Sequence, residues 1–326
     1  MKKQFLIFLL LALIYANSFA QWQKANAPVL SRGWVSDLVF TGNCIFAGTT
    51  YGVLYLSKDN GNTWEKLKSE GYNIIYHKGK VYAGTGKGVI SSSDSGKTWT
   101  TLTNCYAVNP SITSINFVDD KIFTTTLSGV FLSTDEGKYW SPKNIGFDFD
   151  NAVRNEINTL LINKKDLFTV YKNSIYMSRD YGDKWIKLYT IKNNTINDVT
   201  AKAIIVIGKI IIMSVYAYNG PSGILLSHDY GKTWSFLEPN LKIYGVNTLI
   251  KYKKYCFAGN HSDVYISKDS CKKWVALNSG LKDKNVVSLA INKDTIYACT
   301  VGAGVWKRSI PEIIKDVYKK KKVKKG

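Results

Sequence analysis

Ser57-Lys58-Asp59-Asn60-Gly61-Asn62-Thr63-Trp64 is the stretch that decides the fold, because the chain repeats it. Close copies lie at residues 92–99 and 227–234, and looser copies lie at 133–140 and 178–185. A sixth copy, at 267–274, has Cys271 where the glycine is expected. Six copies of Ser-x-Asp-x-Gly-x-Thr-Trp indicate a repeat architecture. We refer to these six segments as the box turns.

The residue types of the box turns suit a tight connection between two strands. The Asp side chain accepts hydrogen bonds from backbone N–H groups, and the Gly permits positive φ. The Trp begins the next strand and supplies a large apolar surface. We therefore predict a structural role, not a catalytic one, for these box residues: Asp59, Gly61, Trp64, Asp94, Gly96, Trp99, Asp135, Gly137, Trp140, Asp180, Gly182, Trp185, Asp229, Gly231, Trp234, Asp269 and Trp274. A residue with a side chain, such as Cys271, costs on the order of 1 kcal/mol in the left-handed backbone conformation. We therefore expect that turn to be reshaped.

The spacing of the repeat indicates propeller blades. Successive box tryptophans are 35, 41, 45, 49 and 40 residues apart, and a period near forty with four short strands is typical of a blade. In the first unit we predict strands at residues 35–40, 44–48, 52–57 and 63–67, with alternating apolar residues. The next units span residues 73–102, 112–143, 157–188, 199–237 and 246–277.

The last unit lacks a box turn and a fourth strand. It has predicted strands at residues 287–291, 295–300 and 304–307 only. The segment Gln21-Trp22-Gln23-Lys24 resembles Thr63-Trp64-Glu65-Lys66, a fourth strand with no blade before it. We predict that this segment, through Trp22, closes the ring and hides two sheet edges. The predicted fold is all-β: a seven-bladed β-propeller of four-stranded antiparallel blades, closed by the N-terminal strand.

The box turns resemble the Asp-box, or BNR, repeats of sialidases, sortilin-type receptors and the photosystem II assembly factor family. The resemblance covers nearly the whole chain after residue 20. It implies that the box is a structural turn in a propeller blade, away from the active face. Sialidases of this superfamily use three arginines from separate blades, a Tyr–Glu nucleophile pair and an acidic acid/base residue.

The arginines do not fit that sialidase pattern. The chain has four, of which Arg179 lies in a box turn and Arg308 follows a third strand, both predicted on the box face. We therefore predict a member of the superfamily that is not a sialidase, and we assign no catalytic residue. A carboxylate pair such as Glu70 and Glu156 leaves another glycoside hydrolase activity open as an alternative.

The N-terminal residues indicate export. Met1-Lys2-Lys3, an apolar run at residues 5–16 and Ser18-Phe19-Ala20 are typical of a secretory signal peptide. We predict a signal peptide at residues 1–20, a propeller at 21–309 and a Lys-rich tail at 310–326, with a short helix at 311–318. The destination is the periplasm, the outer surface or the extracellular medium.

The charge is strongly basic, with a formal net charge of +20. Such a surface attracts anionic partners, although we favour a compositional bias toward Lys as the explanation. The alternative of a structural envelope protein, held by its basic surface, therefore stays open.

The cysteines and histidines do not form a recognisable site. The five cysteines are Cys44, Cys105, Cys256, Cys271 and Cys299, an odd and scattered set that is not a disulfide framework. Three of them fall in predicted strands, where a buried small apolar residue is the expected role. We predict no metal and no cofactor. The segment 84–88 has three alternating glycines in a hairpin, which is not the context of a nucleotide-binding loop.

Strand alternation predicts the face that carries a site. The box turns share one face with the turns between first and second strands; the second-to-third turns and the links between blades form the opposite face. Sites are grafted on variable loops of a rigid ring, and aromatic rings with polar groups suit a glycan or an extended peptide. The candidate binding residues are Arg32, Trp34, Tyr51, Tyr72, Phe147, Asp148, Arg154, Glu156, Tyr171, Tyr216, Tyr218 and His261. We predict a noncatalytic, monomeric scaffold that binds a protein, peptide or glycan partner, with no specific nucleic-acid partner and no transmembrane segment.

Overall fold

Seven four-stranded antiparallel sheets form a closed ring. The computed structural model describes residues 21–28, 30, 33–42, 44–102, 111–149, 156–191, 199–217, 222–237, 245–268, 271–277, 279–281 and 285–319. The first strand of each blade contacts the first strands of both neighbouring blades, so these strands surround a central channel. The predicted seven-bladed β-propeller is confirmed.

The strands of blades one to six run outward from the channel in chain order, and blade seven does so for its first three strands, with β1 outermost. Blades one and two contain β2 (Val35–Thr41), β3 (Cys44–Thr49), β4 (Val53–Ser57), β5 (Glu65–Glu70), β6 (Tyr72–His77), β7 (Lys80–Thr85), β8 (Gly88–Ser92) and β9 (Thr100–Thr101). Blades three and four contain β10 (Ile112–Val118), β11 (Lys121–Thr126), β12 (Gly129–Ser133), β13 (Ser141–Pro142), β14 (Leu160–Asn163), β15 (Asp166–Tyr171), β16 (Ser174–Ser178) and β17 (Ile186–Thr190). Blades five and six contain β18 (Val199–Ile207), β19 (Ile210–Ala217), β20 (Gly223–Ser227), β21 (Ser235–Phe236), β22 (Val246–Tyr252), β23 (Tyr255–Asn260), β24 (Val264–Ser267) and β25 (Val275–Ala276). Blade seven contains β26 (Val286–Asn292), β27 (Thr295–Thr300), β28 (Gly304–Ser309) and β1 (Gln23–Lys24).

The N-terminal strand closes the ring, as predicted. Gln23 pairs with Lys307 and Lys24 pairs with Trp306, which makes β1 the outermost strand of blade seven. Trp22 precedes this strand and is only 3 % exposed. Its indole Nε1–H donates to the carbonyl oxygen of Leu277, next to the outermost strand of blade six. Trp22 therefore joins blade six to blade seven.

The box turns share one set of hydrogen bonds. Ser57 Oγ donates to Asp59 Oδ1 at 2.8 Å and accepts from the N–H of Gly61 at 2.7 Å. Asp59 also accepts from the N–H and the hydroxyl of Thr63, at 2.9 and 2.6 Å. The indole of Trp64 donates to the carbonyl of Gly61 at 3.1 Å. This last bond holds the Trp in the turn, so β5 begins one residue after it, not at residue 63 as predicted.

The same Ser–Asp and Gly–Ser hydrogen bonds recur in the turns that contain Asp94, Asp135, Asp180 and Asp229. Hydrogen bonds, first among them that of the Thr hydroxyl, lower the pKa of Asp59, Asp94 and Asp229 to about 2. These carboxylates are therefore ionised acceptors at neutral pH. Asp269 lies outside the described residues.

The sixth box turn keeps the common backbone at its cysteine. Cys271 has φ of 67°, in the left-handed region that glycine occupies in the other turns. Trp274 Nε1 still donates to the carbonyl oxygen of Cys271, at 3.0 Å. The expectation of a reshaped turn is therefore wrong at this residue: Cys271 adopts the left-handed backbone conformation despite its side chain.

The chain continues past the last blade as a helix, confirming that prediction. Helix α1 (Ile310–Ile314) leads into a π-helical turn, Lys315–Lys319. Ile310 and Ile313 are fully buried and pack in one cluster with Trp22. The lysine run at 320–325 lies outside the described residues. Within the described ranges, no helix combines the length and the apolar character needed to cross a bilayer.

Candidate functional site at the channel mouth

A β-bulge recurs in the first strand of six blades. The register shifts between Val35 and Asp37, Tyr72 and Ile75, Ile112 and Ser114, Ala201 and Ala203, Val246 and Thr248, and Val286 and Ser288. A bulge re-aims a side chain, and bulges are over-represented next to functional sites. The skipped positions include Ser36, Asn73, Thr113, Lys202, Asn247 and Val287, which we call the bulge residues.

Several of the bulge residues connect neighbouring blades around the channel. Asn73 Nδ2 donates to the carbonyl of Ile112 at 3.3 Å, and Asn247 Nδ2 donates to that of Val286 at 2.9 Å. Both accepting carbonyls directly precede the bulge residue of the next blade. Thr113 Oγ1 likewise donates to the carbonyl oxygen of Ile157, the residue before Asn158 in the link to blade four. These polar side chains are therefore held in fixed positions at the channel wall.

Two adjoining cavities open where the bulge residues lie. One, of about 410 Å³, is lined by Asn158, Ala201, Lys202, Asn247 and Val287. The other, of about 400 Å³, is lined by Ser36, Asp37, Thr49, Thr50, Tyr72, Asn73, Lys202, Ala203, Asn247, Thr248, Val287 and Ser288. We call the two together the channel mouth. Its lining comes from blades one, two, four, five, six and seven.

The channel mouth opens on the face opposite the box turns. On the box face, Lys80, at the start of a second strand, lies 3.0 Å from Glu136 of a box turn. On the other face, the N–H of Trp34, in the link before β2, donates to Thr50 Oγ1 at 3.2 Å. Thr50 follows β3 and lines the channel mouth. The predicted arrangement of turns on two faces is confirmed.

Lys202 is the one basic side chain that the described residues contribute to this lining. Its Nζ donates to Asn247 Oδ1 at 3.0 Å and lies 5.4 Å from the centroid of the Tyr216 ring. Tyr216 is 39 % exposed. An ammonium group beside a carboxamide and an aromatic ring can hold a carboxylate while the ring packs against an apolar group.

Asp37 is the one acidic side chain that the described residues contribute to the same lining. Burial raises the pKa of its carboxyl group to about 7, although hydrogen bonds from the backbone of Asn73 and Ile74 lower it. The charge of the channel mouth therefore changes near neutral pH.

Several candidates from the sequence lie at or near the channel mouth. Tyr72 lines it, and its hydroxyl is 3.1 Å from Ser111 Oγ. Tyr51, 56 % exposed, follows Thr50 on the same turn. Glu156 is exposed and lies two residues before Asn158. His261 follows β23, and its Nδ1 is 2.9 Å from Asn285 Oδ1 in the link to blade seven.

Phe147, Asp148 and Tyr171 lie elsewhere, and the structure corrects their placement. Phe147 is buried and stacks on Trp185 with ring centroids 4.9 Å apart, while Tyr171 is 3 % exposed. Asp148 forms an ion pair with Lys187, on the outermost strand of blade four. The long link after blade three buries Phe147 and half-buries Phe149, which stacks on Phe147. Arg32, Arg154 and Tyr218 lie outside the described residues.

The sequence did not predict five lining residues of the channel mouth, because the site was expected in the loops. They are Ser36, Asn73, Asn158, Lys202 and Asn247. A signal was present: a polar residue stands at or near the start of the first strand in each of these blades, among apolar neighbours. For Ser36, Asn73, Lys202 and Asn247, however, it is the bulge that turns the side chain toward the channel.

Among the described residues, neither an arginine nor a metal-binding cluster lines the channel mouth. Arg308 is 6 % exposed and donates to Asp316 Oδ2 at 3.2 Å, and Arg179 lies in a box turn. Within the described ranges, no group of three or more His, Cys, Asp or Glu side chains is arranged to hold a metal ion.

Comparisons with known proteins show a shared fold. No protein-family model matches the chain, and no curated protein sequence matches it. A structure of YCF48 bound to D1 peptide superposes with a TM-score of 0.67 at 14 % identity, over 89 % of this chain and 96 % of that one. The extracellular domain of BT4673 from B. thetaiotaomicron gives 0.66 at 11 % identity, over 88 % of this chain and 40 % of that one. The GH74 xyloglucanase from Xanthomonas campestris gives 0.61 at 11 % identity, over 81 % and 50 %. These similarities show that the chain shares the seven-bladed propeller fold of these proteins.

Proposed function

We propose that this chain is an exported, noncatalytic propeller that binds a partner protein or peptide at the channel mouth. Lys202 holds an acidic group of the partner. One observation supports the proposal most strongly: six blades contribute polar residues to one opening, and Lys202 is the one cation among its described lining residues. We also propose that the box turns are Asp-box repeats and that residues 1–20 direct export.

The polar groups of the channel mouth suit a peptide. The carboxamides of Asn73, Asn158 and Asn247 each both donate and accept hydrogen bonds, as a peptide backbone requires. The rings of Tyr72 and Tyr216 offer apolar surface for side chains. Cavities of about 410 and 400 Å³ are of the size that small ligands or a few residues occupy. The YCF48 structure, which contains a D1 peptide, is a precedent for peptide binding on this fold.

The carboxyl groups argue against a glycoside hydrolase. Hydrolysis of a glycosidic bond uses two carboxyl groups on either side of the bond. Among the described lining residues only Asp37 carries one. The box carboxylates lie on the other face, and three of them have a pKa of about 2, far too low for a proton donor at neutral pH.

Peptide binding by the purified chain tests the proposal. An array of acidic peptides, with matched versions whose carboxyl groups are amidated, identifies ligands, and fluorescence anisotropy then measures Kd at two salt concentrations. We expect saturable binding that needs the carboxyl group. Lys202→Gln should weaken it about tenfold, since a hydrogen bond to a charged group contributes about 1.5 kcal/mol. Tyr216→Ala should also weaken it.

Lys209→Gln is the matched control. Lys209 is an exposed lysine in the first-to-second turn of the same blade, on the box face. Equal Kd values for both lysine variants, or equal binding of acidic and amidated peptides, would contradict the proposed site. Saturable binding of acidic glycans alone would change the class of partner. Release of sugar from a glycan substrate would refute the noncatalytic assignment, and binding abolished by salt would favour an envelope protein held by its basic surface.

A further inference from the structure

Blade six differs from other blades at two positions that face each other. In blade one, a Cβ added at Gly61 would lie 3.6 Å from Ile45 Cδ1. Blades four and five repeat this contact between the box glycine and the second residue of the second strand: Gly182 with Leu167, and Gly231 with Ile211, both at 3.7 Å. In blade six, both positions are cysteines, Cys271 and Cys256.

The two cysteines are in direct contact. Their Sγ atoms are 2.9 Å apart, and the side chains are 0 % and 1 % exposed. Cys256 pairs across the sheet with Ser267, the serine of the box turn, just as Ile45 pairs with Ser57. Two residues that can bond to each other thus stand where blades one, four and five have a glycine and an aliphatic residue.

We propose that Cys256 and Cys271 form a disulfide when the chain is exported into an oxidising compartment. A thiolate of one cysteine attacks a disulfide of an oxidoreductase or of oxidised glutathione, and the second cysteine resolves the mixed disulfide. One S–S bond forms and one breaks, two electrons pass to the oxidant, and its two sulfurs leave as thiols with the two protons. Because both sulfurs are buried, the exchange takes place before blade six is packed.

The bond fastens the box turn of blade six to its second strand. It closes a loop of 15 residues, and Leu277, just after β25 of the same blade, accepts the hydrogen bond of Trp22. The disulfide therefore stabilises the blade against which the ring closes. This inference is independent of any ligand at the channel mouth.

Peptide mapping tests the bond directly. The full chain is purified from the culture medium or periplasm, denatured, alkylated without reductant and digested with trypsin. We expect peptides 255–268 and 269–272 to be joined, with a mass two hydrogen atoms below their sum, and to separate after reduction. Alkylation of both cysteines in the exported protein, and again after refolding with oxidised glutathione, would overturn the proposal.

Thermal unfolding with and without reductant gives a second test. For a loop of this length, reduction should lower the Tm of the wild-type protein by about 5 °C. The double variant Cys256→Ile, Cys271→Gly restores the residue pair of the other blades and should unfold at one Tm with or without reductant. Cys44→Ser, at a half-buried cysteine in blade one, should keep the wild-type response. The same response in wild-type and double variant would also refute the bond.

Discussion

Replacing Trp22 with alanine should weaken the closure of the ring. Trp22 is 3 % exposed and packs with Leu277, Leu281 and Trp306, so its side chain contacts blades six and seven at once. Each of the other blades is built from one continuous stretch of chain, whereas blade seven is completed by an N-terminal strand of two residues, Gln23–Lys24, which pairs with β28. The substitution therefore acts in the blade that is closed by strand pairing between the two ends of the chain.

The expected loss follows from the buried area. A buried Trp side chain removes roughly 200 Å² from water, which corresponds to about 5 kcal/mol at about 25 cal/mol per Å². Measured Trp→Ala losses are about 3–5 kcal/mol, and the carbonyl of Leu277 also loses its donor. We expect the free energy of unfolding to fall by about 4 kcal/mol. For a propeller of this size, that is a Tm lower by about 6 °C.

Urea unfolding followed by Trp fluorescence, together with calorimetry, measures both quantities. Trp22→Phe keeps most of the apolar area and loses only the indole N–H, so it should cost about 1–2 kcal/mol. Trp99→Ala removes a half-buried box Trp and should cost less than Trp22→Ala. Deletion of residues 21–25 should cost at least as much as Trp22→Ala, because it also exposes the edge of β28. A Tm unchanged within about 1 °C after that deletion would refute the reasoning.

Two further predictions concern packing between blades and pH. Gly84→Ala should cost about 1–3 kcal/mol in urea unfolding, because the new Cβ would lie 2.7 Å from Ile112 Cγ2 of the next blade. Gly86→Ala, where no atom lies within 4 Å, should cost less than about 0.5 kcal/mol, and equal losses would contradict the packing argument. The folded-state pKa of Asp37 is raised from 3.8 to about 7, so the folded state holds this proton more tightly than the unfolded state. Stability should therefore fall as the pH rises from about 4 to about 7, by at most about 4 kcal/mol, and Asp37→Asn should remove that part of the decline. Asp120→Asn is the control. Lys78 lowers the pKa of Asp120, so this carboxyl group makes stability rise with pH, and its removal should change the pH dependence in the opposite direction. Parallel Tm–pH curves for the wild-type protein and Asp37→Asn would refute the assignment.

The sequence by itself determined the features that depend on short segments. The hydrogen bonds of Ser57, Asp59, Gly61 and Thr63 all lie within eight residues, so the spacing of the side chains specifies the turn. Repetition of that turn specifies the blades. The likeness of Trp22 to Trp64 then specifies the closing strand, because the same residue pattern implies the same place in a blade.

The tertiary structure alone decided the channel mouth and the cysteine pair. Lys202 and Asn247 belong to strands whose sequences do not reveal a bulge, and the hydrogen bond between them joins residues 45 positions apart. The link that contains Phe147 was predicted on the exposed face, but the Phe147 ring is buried, since it stacks on Trp185 and meets Tyr176 edge to face. Cys256 and Cys271 are both visible in the sequence, yet their contact depends on the packing of a turn against a neighbouring strand. Local hydrogen bonding is specified by residues near in the chain, whereas a site built from several blades exists only once the ring has brought distant residues together.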